Sequence, residues 1–180
     1  TTDLANPLLG TKIIRCTDEF FAPANRIINP SPPIFKENVF DNHGKWMDGW
    51  ETRRRRSKGN DYVIIKLGKP GKIKLINIDT SFFNGNQPEY AMIEGCFLEN
   101  NNLKNTKWIK ITKKNKIKPN NNNILKSNSS KTFNFIRLNI FPDGGVARLR
   151  LYGNIDLSLQ TISNNNIIDL ASVINGSQVV

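Results

Sequence analysis

Short β-branched runs separated by glycine, proline and asparagine set the rhythm of this chain. Lys12 to Cys16, Asp61 to Leu67, Lys72 to Asp79, Tyr90 to Leu98, Lys107 to Thr112, Thr132 to Ile140 and Val146 to Tyr152 each read as a strand. Alternation is clearest in the last two. Ile136, Leu138 and Ile140 share one face, with Arg137 and Asn139 on the other; Ala147, Leu149 and Leu151 oppose Arg148, Arg150 and Tyr152. The intervening Pro142-Asp143-Gly144-Gly145 is a tight-turn sequence, because proline presets φ and glycine supplies positive φ. The pattern predicts a hairpin there. No window of about eleven residues carries a helical period. The expected class is all-β, a sandwich or jelly roll.

The 180 residues suit one domain, and 38% hydrophobic content suffices for a single core. Asparagine runs at 100–102, 120–123 and 164–166 fall between apolar segments and read as surface loops without chemistry. Pro30, Pro32 and Pro33 make residues 25–36 an extended loop, since proline cannot donate to a ladder. Residues 154–166 read as a polar linker. Ile167-Ile168-Asp169-Leu170-Ala171 then resumes an apolar pattern, so residues 167–180 are expected to begin a further element.

A net charge of +11 invites a nucleic-acid reading. Much of the excess, however, lies in Lys104, Lys107, Lys110, Lys113, Lys114, Lys116 and Lys118, around Trp108 and asparagine loops. That is the makeup of a solvated hairpin, and no nucleic-acid motif accompanies it. No nucleic-acid partner is expected. Cys16 and Cys96 sit in apolar segments without metal-ligand spacing and read as reduced, buried residues. His43 is the single histidine, so no His-rich metal site is expected, and no cofactor is implied. No stretch approaches the ~20 apolar residues that span a membrane, and the default location is cytoplasmic.

The chemistry concentrates in Trp46-Met47-Asp48-Gly49-Trp50-Glu51-Thr52-Arg53-Arg54-Arg55-Arg56. Two tryptophans, two carboxylates and four guanidiniums follow one another with no hydrophobic period. Aromatic walls beside paired charges suit a small, polar, anionic ligand. The alternative is a surface loop whose tryptophans plug the core while the arginines stay solvated.

Several strings together resemble the allantoicase family, hydrolases of purine breakdown that split allantoate into urea and ureidoglycolate. They are Asp18-Glu19-Phe20-Phe21-Ala22, Trp46 through Arg54, Asp61 through Gly68, Ile78 through Pro88, Ile93-Glu94-Gly95 and Pro142 through Gly153. The resemblance implies a galactose-binding-like jelly-roll β-sandwich, with residues 1–153 as one repeat. Ile167 through Gly176 corresponds to the opening of a second repeat. A homo-oligomer is also expected, as is a single-repeat form with little or no activity.

Allantoate carries a carboxylate and two ureido groups on one carbon. Losing urea requires a proton on the departing nitrogen and water on the resulting acyl-imine, a task for carboxyl groups with guanidiniums on the substrate carboxylate. Within the matching strings, Glu51, Asp79 and Asp48 are the catalytic candidates; Glu19 and Glu94 are of the same type. Trp50, Arg53, Arg54, Asn86 and Arg148 are the substrate-binding candidates. Each has a plainer reading: Glu51 and Arg53 as an ion pair two residues apart, Asp79-Thr80 as a turn cap, Asn86 as a turn residue, Arg148 as a salt bridge. His43 lies outside the Trp-x-Asp-Gly-Trp core and ranks below Glu51. The rival function is a non-catalytic jelly-roll module binding a sugar or anion.

Overall fold

The structure, a computed structural model, describes residues 1–159. The third asparagine run and the expected second-repeat opening at 167–180 lie outside the described residues. Among the described residues thirteen strands form in chain order: β1 (Thr2–Asp3), β2 (Lys12–Cys16), β3 (Phe40–Asp41), β4 (Gly44–Lys45), β5 (Trp50–Glu51), β6 (Asp61–Asp79), β7 (Tyr90–Cys96), β8 (Ile109–Lys110), β9 (Asn115–Lys116), β10 (Asn122–Lys126), β11 (Thr132–Phe141), β12 (Gly145–Val146) and β13 (Arg148–Ile155).

The two expected strands at 61–67 and 72–79 are one continuous strand, β6, which serves both layers. Its first half pairs with β2 and β11, and β11 pairs in turn with β7. Its second half pairs with β10 and β13, and β13 with β1. Every principal pairing is antiparallel. The ladder of β6 with β11 is interrupted between Lys66 and Gly71, across Gly68-Lys69-Pro70, where regular pairing is hardest to sustain. The result is a jelly-roll β-sandwich.

Alternate side chains of both layers meet in one core. Val63, Ile65 and Leu67 face Ile76, Ile78, Leu149 and Leu151 with Ile136, Leu138 and Ile140, none more than 2% exposed. Each such side chain contributes roughly 1.5–3 kcal/mol on burial. The first layer is also covered outside: Ile64, Cys96 and Phe135 lie beneath Leu98, Leu103 and Trp108. The lysine-rich stretch is therefore not a free hairpin; β8 and β9 each pair with β7 rather than with each other.

The hairpin expected at Pro142–Gly145 does not form. β11 and β13 both pair with β6, in different layers, and the turn residues carry the chain across the end of the sandwich. The middle asparagine run also departs from a plain loop. Asn122 and Asn123 belong to β10, and the buried Asn123 amide donates to Ile78 O, Lys118 O and Asn121 O while its Oδ1 accepts from Lys118 N–H.

Candidate functional site

Three segments converge at one end of the sandwich: 46–56, 80–88 and 142–147. β5 pairs with β12, so Glu51 lies opposite Gly145 and Trp50 opposite Val146. Met47, Phe83 and Ala147 pack together beneath them. This convergence explains the Gly-Gly step better than a hairpin does. A Cβ on Gly145 would stand 2.0 Å from Phe83 Cε1, and one on Gly144, at φ +133°, would stand 2.6 Å from Pro88 N. Only glycine lets the three backbones approach so closely.

Glu51 is half-buried, and its Oε1 accepts a 2.8 Å hydrogen bond from Asn86 Nδ2. Burial pushes its pKa above the ordinary 4.5, and the Asn86 amide offsets this only in part. The expected Glu51–Arg53 pair is absent; Arg53 instead grips Asp18, with Nε and Nη2 both donating to Oδ1 at 3.1 and 2.7 Å. Burial raises the Asp18 pKa, but the Arg53 side-chain and backbone hydrogen bonds and the Arg53 charge outweigh it and hold the carboxyl below 3.8. The Arg53 guanidinium also lies 5.0 Å over the Phe20 ring.

The arginine run alternates, as an extended chain should. Arg53, itself exposed, and Arg55, half-buried, each pair with a carboxylate. Arg55 donates to Asp61 at 2.9 Å and to Ser57, and its backbone N–H donates to Asp143. Arg54 and Arg56 are exposed and make no ion pair among the described residues. All four line a shallow basin of about 210 Å³ together with Thr17, Asp18, Ser57 and Asp61.

Arg148 occupies a different environment. It is 1% exposed. Its Nε donates to Ser31 O, its Nη1 to Asp48 O and Ala147 O, and its Nη2 to Asp48 Oδ2 at 2.7 Å and to Pro32 O. All five N–H groups are committed. Asp48 also accepts from Ile34 N–H; burial raises its pKa, yet these bonds and the charges of Arg148 and Arg26 hold it below 3.8. Arg148 thus binds the proline loop to the Asp48 segment and β13. Next to it, Asp79 is buried at the end of β6, and its Oδ1 accepts from Ser81 N–H, the turn cap its position suggested. Asp79 and Arg148 share a groove with Asn77, Arg150, Tyr152 and Phe82.

The sequence-derived candidates therefore separate. Glu51 and Asn86 come together, Arg53 and Arg54 line the basin, Asp79 and Arg148 line the groove, and Asp48 is bound to Arg148 behind them. Trp50 is 0% exposed, with its Nε1–H donating to Asp18 O, and has no surface to offer a ligand. Trp46 stays half-exposed beneath Arg26 and Lys36. Glu94 is held by Arg137 at 2.6 Å and by Asn139, Glu19 caps Ala24 N–H, and His43 is exposed against Phe20. Asp18, Asp143 and Arg150 were not singled out by sequence reasoning. All three fall inside matching strings, which was the available signal. Among the described residues no His, Cys, Asp and Glu cluster could hold a metal, and no helix is long and apolar enough to cross a membrane.

The family profile described as "Allantoicase repeat" matches residues 2–156. The chain belongs to the allantoicase family. It is 47% identical over 179 residues to a "Probable allantoicase" of Acinetobacter baumannii (strain SDF), spanning 99% of this chain and 53% of that protein. The solved "Structure of allantoicase" superposes with a TM-score of 0.81 at 35% identity, over 97% of this chain and 52% of the other. The chain thus spans about half the length of the allantoicases it matches. A family 32 carbohydrate-binding module from C. perfringens shares the galactose-binding-like fold alone, at TM-score 0.56 and 14% identity, over 83% of this chain and 97% of that one.

Proposed function

We propose that this chain carries half of an allantoicase and that its converging loops act in releasing urea from allantoate. The observation that carries this reading, beside the family, is Glu51. It is a half-buried carboxyl of raised pKa with a neutral amide partner, two residues from the arginines of the basin. A carboxyl kept protonated closer to neutrality is suited to general acid work.

In this reading Arg54 and the outer edge of Arg53 take the substrate carboxylate, since Arg53 commits only Nε and Nη2 to Asp18. Glu51 protonates the departing ureido nitrogen. The lone pair of the remaining ureido nitrogen expels it, the C–N bond breaks, and urea leaves an acyliminium that keeps its N–H. Water adds to the iminium carbon while the Glu51 carboxylate accepts its proton, which gives ureidoglycolate and restores the acid. Asn86 orients the carboxyl through its hydrogen bond. Arg148 acts by holding the proline loop and Asp48 in place.

Urea release from allantoate by the 180-residue chain, with and without Glu51→Gln, tests the proposal. The expected result is weak release by this chain and full release by a form that spans the length of its relatives, where Glu51→Gln lowers it by about 100-fold or more, the usual scale of general acid catalysis. Release that is unchanged by Glu51→Gln removes Glu51 from the mechanism. No release from this chain, with release by a form that spans the full length of its relatives, shows that the repeat acts only with its other half.

A further inference from the structure

The groove on the outer face of the second layer has a volume of about 460 Å³, and its polar floor differs from that of the arginine basin. Asn77 on β6 and Arg150 on β13 are register partners across the floor. Asn77 Oδ1 and Arg150 Nη1 are both buried without a hydrogen-bond partner. The rest of each side chain is engaged: Asn77 Nδ2 donates to Asn122 Oδ1, and Arg150 Nη2 to the Asn29 carbonyl at 2.6 Å. A buried acceptor and a buried donor left open on facing residues are costly unless something completes them.

The rim carries an independent sign of a built site. Phe82 has φ +67°, a left-handed conformation that a bulky residue rarely adopts. It is held there by its N–H donating to Asn120 Oδ1, and it stays 41% exposed, with its ring 5.6 Å from the Phe35 ring. Strain of this kind persists where the surroundings over-determine a residue, commonly at ligand sites.

We infer that this groove binds a carbamoyl group, the –CO–NH2 of a urea or primary amide. One planar group supplies a carbonyl for Arg150 Nη1 and N–H donors for Asn77 Oδ1 and the Asp79 carboxylate. Asn77 and Arg150 both line the groove. The floor offers no unpaired cation for a carboxylate, which must lie outside it: Arg148 is paired with Asp48 and Arg150 with Asp3, and among the described residues Asp79 makes no ion pair. Phe82 supplies the apolar edge. The allantoate reading enters only in naming the source, either a ureido arm of the substrate or released urea.

Titration of the isotope-labelled 180-residue chain, followed by NMR, tests this with methylurea, N-carbamoylglycine and glycerol. Methylurea should shift the Asn77 side-chain amide and Arg150 signals and saturate at about millimolar concentration, as expected of so small a ligand. Asn77→Leu should weaken this by about fivefold or more. Phe82→Gly, which adopts the same φ without strain and so keeps the fold, should weaken it as well. N-carbamoylglycine that binds tighter than methylurea identifies a substrate arm, and equal binding identifies free urea. Equal shifts from glycerol, no shifts in the groove, or indifference to Asn77→Leu overturn the inference. Groove binding without urea release from allantoate sinks the functional reading alone. Glu51-dependent release without groove binding sinks the inference alone.

Discussion

Two sets of arginines share this molecule and differ in almost everything except the side chain. Arg148 lies on the sheet, nearly inaccessible, with every N–H bound to protein oxygen. Arg54 and Arg56 lie on an extended loop, exposed and without an ion pair among the described residues. Arg53 and Arg55 stand between these extremes, each with part of its fork committed to a carboxylate. A guanidinium is available to a ligand according to how many donors its own protein leaves free. Residue type alone says nothing about that.

The most severe break of this comparison is Arg148→Lys. One ammonium cannot replace five donors, so Asp48 and several carbonyls lose partners, and unfolding by denaturant should show a loss of about 3–5 kcal/mol. A loss below 1 kcal/mol would mean that the hub is dispensable. Arg55→Ala comes next. It strands the buried Asp61 carboxylate and should cost about 1–3 kcal/mol in the same measurement.

Arg54→Lys should leave stability unchanged but lower the kcat/KM for urea release by about tenfold, since one charged hydrogen bond of the carboxylate fork is lost. Arg56→Lys should alter neither quantity. Equal kinetic effects at positions 53, 54, 55 and 56 would mean that the run acts as diffuse surface charge and would dissolve the distinction.

The smallest effects lie in pH dependence, and the two regions should move oppositely. Asp48 has a lowered folded pKa, so its stabilisation is complete above 3.8 and is lost as pH falls through the folded value. Asp48→Asn should therefore flatten acid unfolding in that window. Glu51 has a raised folded pKa, so its stabilising share is complete below 4.5 and is lost as pH rises through the folded value. Glu51→Gln should consequently gain stability relative to the parent above that window and match it below. Melting temperatures across pH for both variants check the two signs.

The strands were legible because alternation reports burial directly. Ile136, Leu138 and Ile140 point inward as their pattern required. Pairing was not legible. β11 and β13 have complementary patterns and a turn between them, yet both choose β6, whose nineteen residues reach into both layers. Alternation states which face is wet, and it does not state which neighbour fills the edge. Asn123 was hidden for a related reason: a residue typical of loops becomes buried once tertiary contacts satisfy its amide.

The candidate site was legible as strings and illegible as geometry. Glu51 and Asn86 are thirty-five residues apart and meet because β5 pairs with β12 and the Gly144-Gly145 step admits Phe83. Trp50 has the composition of a ligand wall and the location of a core residue. The sequence by itself determined the all-β class, the inward faces and the family, because each is written in local pattern or in distinctive strings. Only the tertiary structure decided which carboxylates are neutralised, which arginines keep free donors and which polar atoms are left unmet. Those outcomes depend on what packs against a side chain, and its contacts come from residues far away in the chain.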